Sequence, residues 1–137
     1  MDLKALYQQT IRDYAKADQY FYKMENADET IEAYNPYCGD QFRLYLKWDG
    51  ESVESASFHG YGCTISKAST AILVEYIQGR SREEITALIE QFNRILEKES
   101  LPEDPENLKV FQAAKAFPGR ETCATLSWDA LAESNKS

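Results

Sequence analysis

Several things are scarce in this 137-residue chain, and each scarcity removes a class of function. There is one histidine, His59, so a Ser-His-Asp or Cys-His nucleophile scheme has little to work with. There are three cysteines and no C-x-x-C pair, which argues against both a disulfide framework and a thioredoxin-type redox motif. Basic residues number 15 against 23 acidic ones, for a net charge of −8. No basic stripe is visible, so nucleic acid and anionic membrane surfaces are poor partners. No apolar run approaches the ~20 residues of a membrane span, and no charged-then-apolar leader opens the chain. The expectation is a soluble, cytoplasmic protein with one domain over 1–137.

The residues that are present gather around three turn-flanked thiols. Cys38 lies in Asn35-Pro36-Tyr37-Cys38-Gly39-Asp40. Cys63 follows Gly60-Tyr61-Gly62 and precedes an apolar helical run, Ala68 to Ile77. A thiol there meets the unpaired N–H groups and the positive end of a helix dipole, a setting suited to metal binding or sulfur chemistry. Cys123 follows Phe117-Pro118-Gly119-Arg120 and opens the last helical pattern. Three buried thiols acting as small hydrophobes are the plain alternative. Turn residues rather than an apolar stripe flank each one, which favours a shared site.

Helical spacing of Leu3, Leu6, Tyr7, Ile11 and Tyr14 marks a first helix, with Asp2 as its cap. Tyr20, Phe21 and Tyr22 read as packing aromatics. Thr30 to Tyr34 alternates as a short strand, and Phe42, Leu44, Leu46 and Trp48 alternate with polar residues as a second. Asp49-Gly50 predicts a type I′ hairpin turn and a return strand from Glu51 to His59. A two-residue turn centred there would set Ser55 and Ser57 opposite Leu44 and Phe42. Gly79 stops the helix after Cys63, and Ser81-Arg82-Glu83-Glu84 is a capping box for a helix with the face Ile85, Leu88, Ile89, Phe92, Ile95 and Leu96. Residues 99–106 read as a loop. Asp104-Pro105 then starts a short helix that Pro118-Gly119 ends, and a last helix runs from Glu121 to Ala132, with 134–137 frayed. One helix, three strands and four helices point to an α+β fold with an antiparallel sheet.

Three thiolates leave a tetrahedral ion one ligand short, and Asp40 is the obvious fourth, because Gly39 lets the backbone turn both side chains toward one ion. Zinc accepts such a set, and so does an iron–sulfur cluster, held less tightly through oxygen than through sulfur. Asp40 as a simple turn residue stays open on spacing alone. Arg120 and Lys67 could offset the charge of an anionic ligand set, or lie on the surface. His59, four residues before Cys63, is not assigned as a ligand.

Asn35-Pro-Tyr-Cys-Gly-Asp40, Gly60-Tyr-Gly-Cys-Thr-Ile-Ser-Lys-Ala-Ser69 and Arg120-Glu-Thr-Cys-Ala-Thr-Leu-Ser-Trp-Asp-Ala-Leu131 together resemble the U-type iron–sulfur cluster assembly proteins, the family of IscU, SufU and the N-terminal domain of NifU. The resemblance spans about residues 30–131. It implies a SufE/NifU-like fold, a small three-stranded antiparallel sheet with helices packed on one side. It also implies that Cys38, Asp40, Cys63 and Cys123 form the metal or cluster site. The long stretch between the second and third cysteines, and Thr122 where IscU has histidine, make the chain look like the SufU branch. That branch implies zinc, a SufS-like cysteine desulfurase as sulfur donor, a persulfide on Cys38 and support from Arg120. Downstream cluster-assembly or acceptor proteins would follow. The Leu-Pro-Pro-Val-Lys segment that engages an Hsp70 chaperone in IscU is replaced by Ala116-Phe-Pro-Gly-Arg120, so no such chaperone is expected. The alternative is a module that zinc merely staples.

Overall fold

The structure is a computed structural model and describes residues 3–36, 39–97, 101–116 and 121–135. Helix α1 (Leu3–Lys16) is followed by strands β1 (Glu29–Asn35), β2 (Asp40–Asp49) and β3 (Ser52–Tyr61). Then come α2 (Thr64–Ile77), α3 (Arg82–Glu97), the single turn α4 (Glu106–Lys109), a 3-10 helix (Val110–Ala116) and α5 (Glu121–Asn135). The strands form an antiparallel sheet in the order β1-β2-β3, and helices pack against one face, as expected for an α+β chain of this pattern.

Alternation decides that face. Ile31 and Ala33 of β1 pair with Leu44 and Phe42 of β2, and Phe58 and Ala56 of β3 pair with Leu44 and Leu46. All are buried, and with Ile72, Leu73, Phe92, Phe111 and Trp128 they form one apolar core. Phe92 and Trp128 stack at 3.8 Å and tie α3 to α5. The stretch after α1 flanks the outer edge of β3, where the Phe58 N–H donates to the Tyr20 carbonyl at 2.9 Å. Of the three clustered aromatics, Phe21 packs edge-on against Phe58 at 5.1 Å, whereas Tyr22 is exposed. Among the described residues no helix is long and apolar enough to cross a membrane.

The hairpin differs from its expected register. Asp49 pairs with Ser52, so the loop residues are Gly50 and Glu51. Gly50 has φ 64° while Glu51 does not enter positive φ, the type II′ pattern of glycine first rather than type I′. A bulge between Lys47 and Trp48 then shifts the pairing again. Ser57 consequently lies opposite Tyr45, and Ser55 opposite Lys47. The bulge keeps Val53, Ala56 and Phe58 all buried although Val53 and Ala56 are three residues apart, which unbroken alternation forbids.

The capping box forms as expected: the Glu84 N–H donates to the Ser81 hydroxyl and Glu84 Oε1 accepts from the Ser81 N–H. All six residues of the expected α3 face are buried. Ser134 and Asn135, expected to fray, lie in the last turn of α5 and are anchored. Asn135 donates to the Arg82 carbonyl and the Thr86 hydroxyl, and Ser134 donates to Glu29. The Asp2 cap and the Pro118-Gly119 stop lie outside the described residues.

Candidate metal centre

Three elements deliver side chains to one end of the sheet. Asp40 opens β2, Cys63 is the N-cap of α2, and Cys123 lies in the first turn of α5. One ligand atom from each of Asp40, Cys63 and Cys123 falls within 4.8 Å of the other two. Two sulfurs and a carboxylate converging this closely suit a thiophilic cation, because thiolate and carboxylate donors offset its charge. Cys38 and Arg120 lie outside the described residues. Gly39, between Cys38 and Asp40, has φ 75°, a left-handed turn that glycine adopts without a Cβ penalty.

Asp40 is 1% exposed, and its oxygens are held from two directions. Oδ1 accepts the Cys63 N–H at 2.9 Å, and Oδ2 accepts the Ser66 hydroxyl at 2.7 Å. The Cys63 sulfur lies 3.9 Å from Oδ2 and accepts the Ser66 N–H at 3.4 Å, the capping bond expected of a side chain at a helix start. This bond explains why α2 begins at Thr64, four residues before the apolar run.

Gly62 shows why the turn is glycine-rich. A Cβ there would lie 2.7 Å from Asp40 Oδ1 and 2.8 Å from the Phe42 ring. At Gly60, φ is 142° and a Cβ would lie 2.1 Å from the Gln41 carbonyl oxygen.

Cys123 is 2% exposed. Burial, followed by the neighbouring Cys63 sulfur and the Asp40 charge, pushes its thiol up to about 12. Without a cation, therefore, this thiol keeps its proton at neutral pH, and a bound metal ion would displace it. Cys63 is only half-buried, with Tyr61, Gly62 and Thr64 exposed around it, so the centre is open to solvent on that side.

Lys67 and His59 are both drawn to one aromatic ring outside the converging groups. Lys67 holds its ammonium 4.4 Å above the Phe21 ring, a cation–π contact. His59 stacks on the same ring at 4.7 Å and is not among the converging groups. Sequence reasoning passed over Ser66, whose hydroxyl touches the centre. Its signal was a polar residue three positions after Cys63, where a capping partner belongs.

The NifU-like N-terminal domain family matches residues 6–124. The chain belongs to this family. A Thermotoga maritima protein named iron-sulfur cluster assembly scaffold protein IscU is 36% identical, over 99% of this chain and 96% of its own. A Bacillus subtilis protein named zinc-dependent sulfurtransferase SufU is 35% identical, over 95% and 89%. Both names occur among these relatives, so likeness alone does not separate the two branches. A SufU structure from Fervidobacterium islandicum superposes with a TM-score of 0.80 at 32% identity, covering 93% of this chain and 94% of that one. A NifU-like N-terminal structure from Brucella abortus, at 18% identity and a TM-score of 0.81, shares the fold.

Proposed function

We propose that this protein is a zinc-dependent sulfur acceptor and scaffold in iron–sulfur cluster assembly, with Cys38, Asp40, Cys63 and Cys123 as its ligands. The convergence of Asp40, Cys63 and Cys123 carries the reading, and the names of the relatives support it. The ligand set suits Zn²⁺, which would hold the thiols deprotonated. An iron–sulfur cluster would be transient cargo on the same ligands. α3 occupies the long stretch between the second and third cysteines, which favours the SufU branch. The whole chain acts as one cytoplasmic domain in this reading.

Sulfur transfer needs no net oxidation. The Cys38 thiolate attacks the terminal sulfur of a persulfide on a cysteine desulfurase. The donor S–S bond breaks as the new one forms, and the donor cysteine leaves as thiolate. Arg120 stands near Cys123 in the chain and would offset the net negative charge of four anionic ligands around a dication.

A docking face lies beside the centre. Tyr34 and Tyr61 flank Gln41 across the sheet, one pair along from Asn35 and Asp40. Both tyrosines are strongly exposed, at 58% and 65%. A recess of about 320 Å³ lined by Lys23, Arg43, Tyr45 and His59 adjoins them. Exposed aromatic rings beside cationic side chains are features of protein-binding surfaces, and the desulfurase is the partner we assign to them. No nucleic acid, membrane or Hsp70-type chaperone has a role in this reading.

The test joins metal analysis to turnover. Freshly isolated protein should be colourless with one zinc per chain, and should stimulate a SufS-like desulfurase. A Cys38→Ala variant that stimulates it as well as the native chain would rule out the acceptor role. A brown chromophore in place of zinc would shift the main role to cluster scaffold.

A further inference from the structure

Ser66 contacts all three converging ligand residues. It is 1% exposed and sits one turn into α2. Its hydroxyl is 2.7 Å from Asp40 Oδ2, 3.2 Å from the Cys123 carbonyl oxygen and 3.5 Å from the Cys63 sulfur. Its main-chain N–H points at that sulfur, and its carbonyl accepts the Thr70 hydroxyl at 2.8 Å, so its own position is fixed.

A serine hydroxyl has one proton, and here two oxygens compete for it. The shorter contact goes to Asp40, whose ionised oxygen is the stronger acceptor. With the Cys63 N–H on Oδ1 and the Ser66 hydroxyl on Oδ2, the carboxylate cannot rotate, yet each oxygen keeps a further lone pair. Groups that hold a ligating carboxylate this way set its direction and its affinity for metal.

We propose that Ser66 is the positioning residue of the metal centre: its hydroxyl orients Asp40 toward the ion. The inference rests on the metal-binding reading above and assigns to one hydroxyl the aim of its oxygen ligand. The Cys123 carbonyl is the alternative acceptor, so the hydroxyl keeps a partner if Asp40 swings away during sulfur transfer.

The experiment is a double-mutant cycle on zinc affinity, read by competition with a chromophoric chelator on the full chain, with Co²⁺ spectra beside it. Ser66→Ala should weaken zinc binding by about tenfold in the native background, the effect typical of an outer-shell partner. It should alter the Co²⁺ ligand-field bands while leaving the sulfur-to-metal charge-transfer bands in place. In an Asp40→Ala background the same substitution should change affinity by less than about twofold, because the group it acts through is gone. Ser66→Thr, which keeps the hydroxyl, should restore most of the affinity.

Equal losses in both backgrounds, or no loss in the native one, overturn the proposal. So does an alanine variant that does not fold, since the hydroxyl would then serve the fold instead. A native chain that takes up neither Zn²⁺ nor Co²⁺ overturns the metal-binding reading itself, a failure separate from that of Ser66.

Discussion

The Trp128 indole N–H donates to the Ser69 hydroxyl at 2.9 Å, across the seam where α5 meets α2. Ser69 in turn donates to the Ala124 carbonyl. One turn away, Thr70 and Ser127 share a hydrogen bond of 2.7 Å, and Ser66 meets the Cys123 carbonyl. All these side chains are buried. This polar seam fixes the rotation of the Cys123 helix against the Cys63 helix, and so the distance between the two sulfurs.

Ser69→Ala tests the seam. It leaves a fully buried indole N–H without its acceptor, a loss of about 1–3 kcal/mol. Urea unfolding should show a lower midpoint with an unchanged slope. A midpoint equal to that of the native chain would mean the seam contributes little.

Gly62→Ala tests the close approach of the turn to the Asp40 carboxylate and the Phe42 ring. The new Cβ meets the Asp40 carboxylate, so the aspartate must turn. Zinc affinity should fall by about tenfold, as for other changes to ligand support, and the metal-free melting temperature should fall as well, because the same Cβ meets the fully buried Phe42 ring. Unchanged chelator competition would show that Asp40 does not need its present orientation. Gly60→Ala should hit the fold, because its obstacle is the backbone of Gln41.

Much of this arrangement was legible in the sequence. The α3 face emerged because six apolar residues repeat at helical spacing, and its start because Ser81 and Glu84 have the right offset. The Cys38, Cys63 and Cys123 surroundings stood out because turn residues flank each thiol. The hairpin register was not legible, since the bulge opposite Lys47–Trp48 is a backbone event that breaks the alternation of β3 between Val53 and Ala56, and no glycine or proline there marks it. The seam was hidden for another reason. Ser66, Ser69 and Thr70 read as a polar break in an apolar run, and only their partners on α5, more than fifty residues away, make them interior groups.

Asp104 gives a pH dependence. Arg94 meets both of its oxygens at 2.8 and 3.1 Å, and Gln91 and the Leu101 N–H add to them. The Arg94 bonds, foremost, hold the Asp104 carboxyl well below its usual range. A depressed folded value means this contribution is complete above the unfolded value near 3.9 and is lost as pH falls below it. Asp104→Asn should lower the melting temperature by roughly 5–10 °C at pH 7, and the gap should narrow toward pH 3. A gap independent of pH would mean the charge does not matter.

Chelation distinguishes a working centre from a staple. The core runs from Tyr7 and Ile11 on α1 through the sheet to Leu131 on α5, and none of its apolar contacts needs an ion. Cys63, by contrast, is half-buried at the rim. Removing zinc should therefore leave far-ultraviolet circular dichroism and a cooperative melt intact. The melt should shift downward only by the binding linkage, about 4 kcal/mol for free zinc at a thousand times its Kd. Structural zinc in small zinc-finger peptides supplies ~10–16 kcal/mol, and losing that much would unfold the chain. Apoprotein that melts cooperatively but no longer stimulates the desulfurase places the ion in the chemistry; apoprotein without a melt makes it a staple.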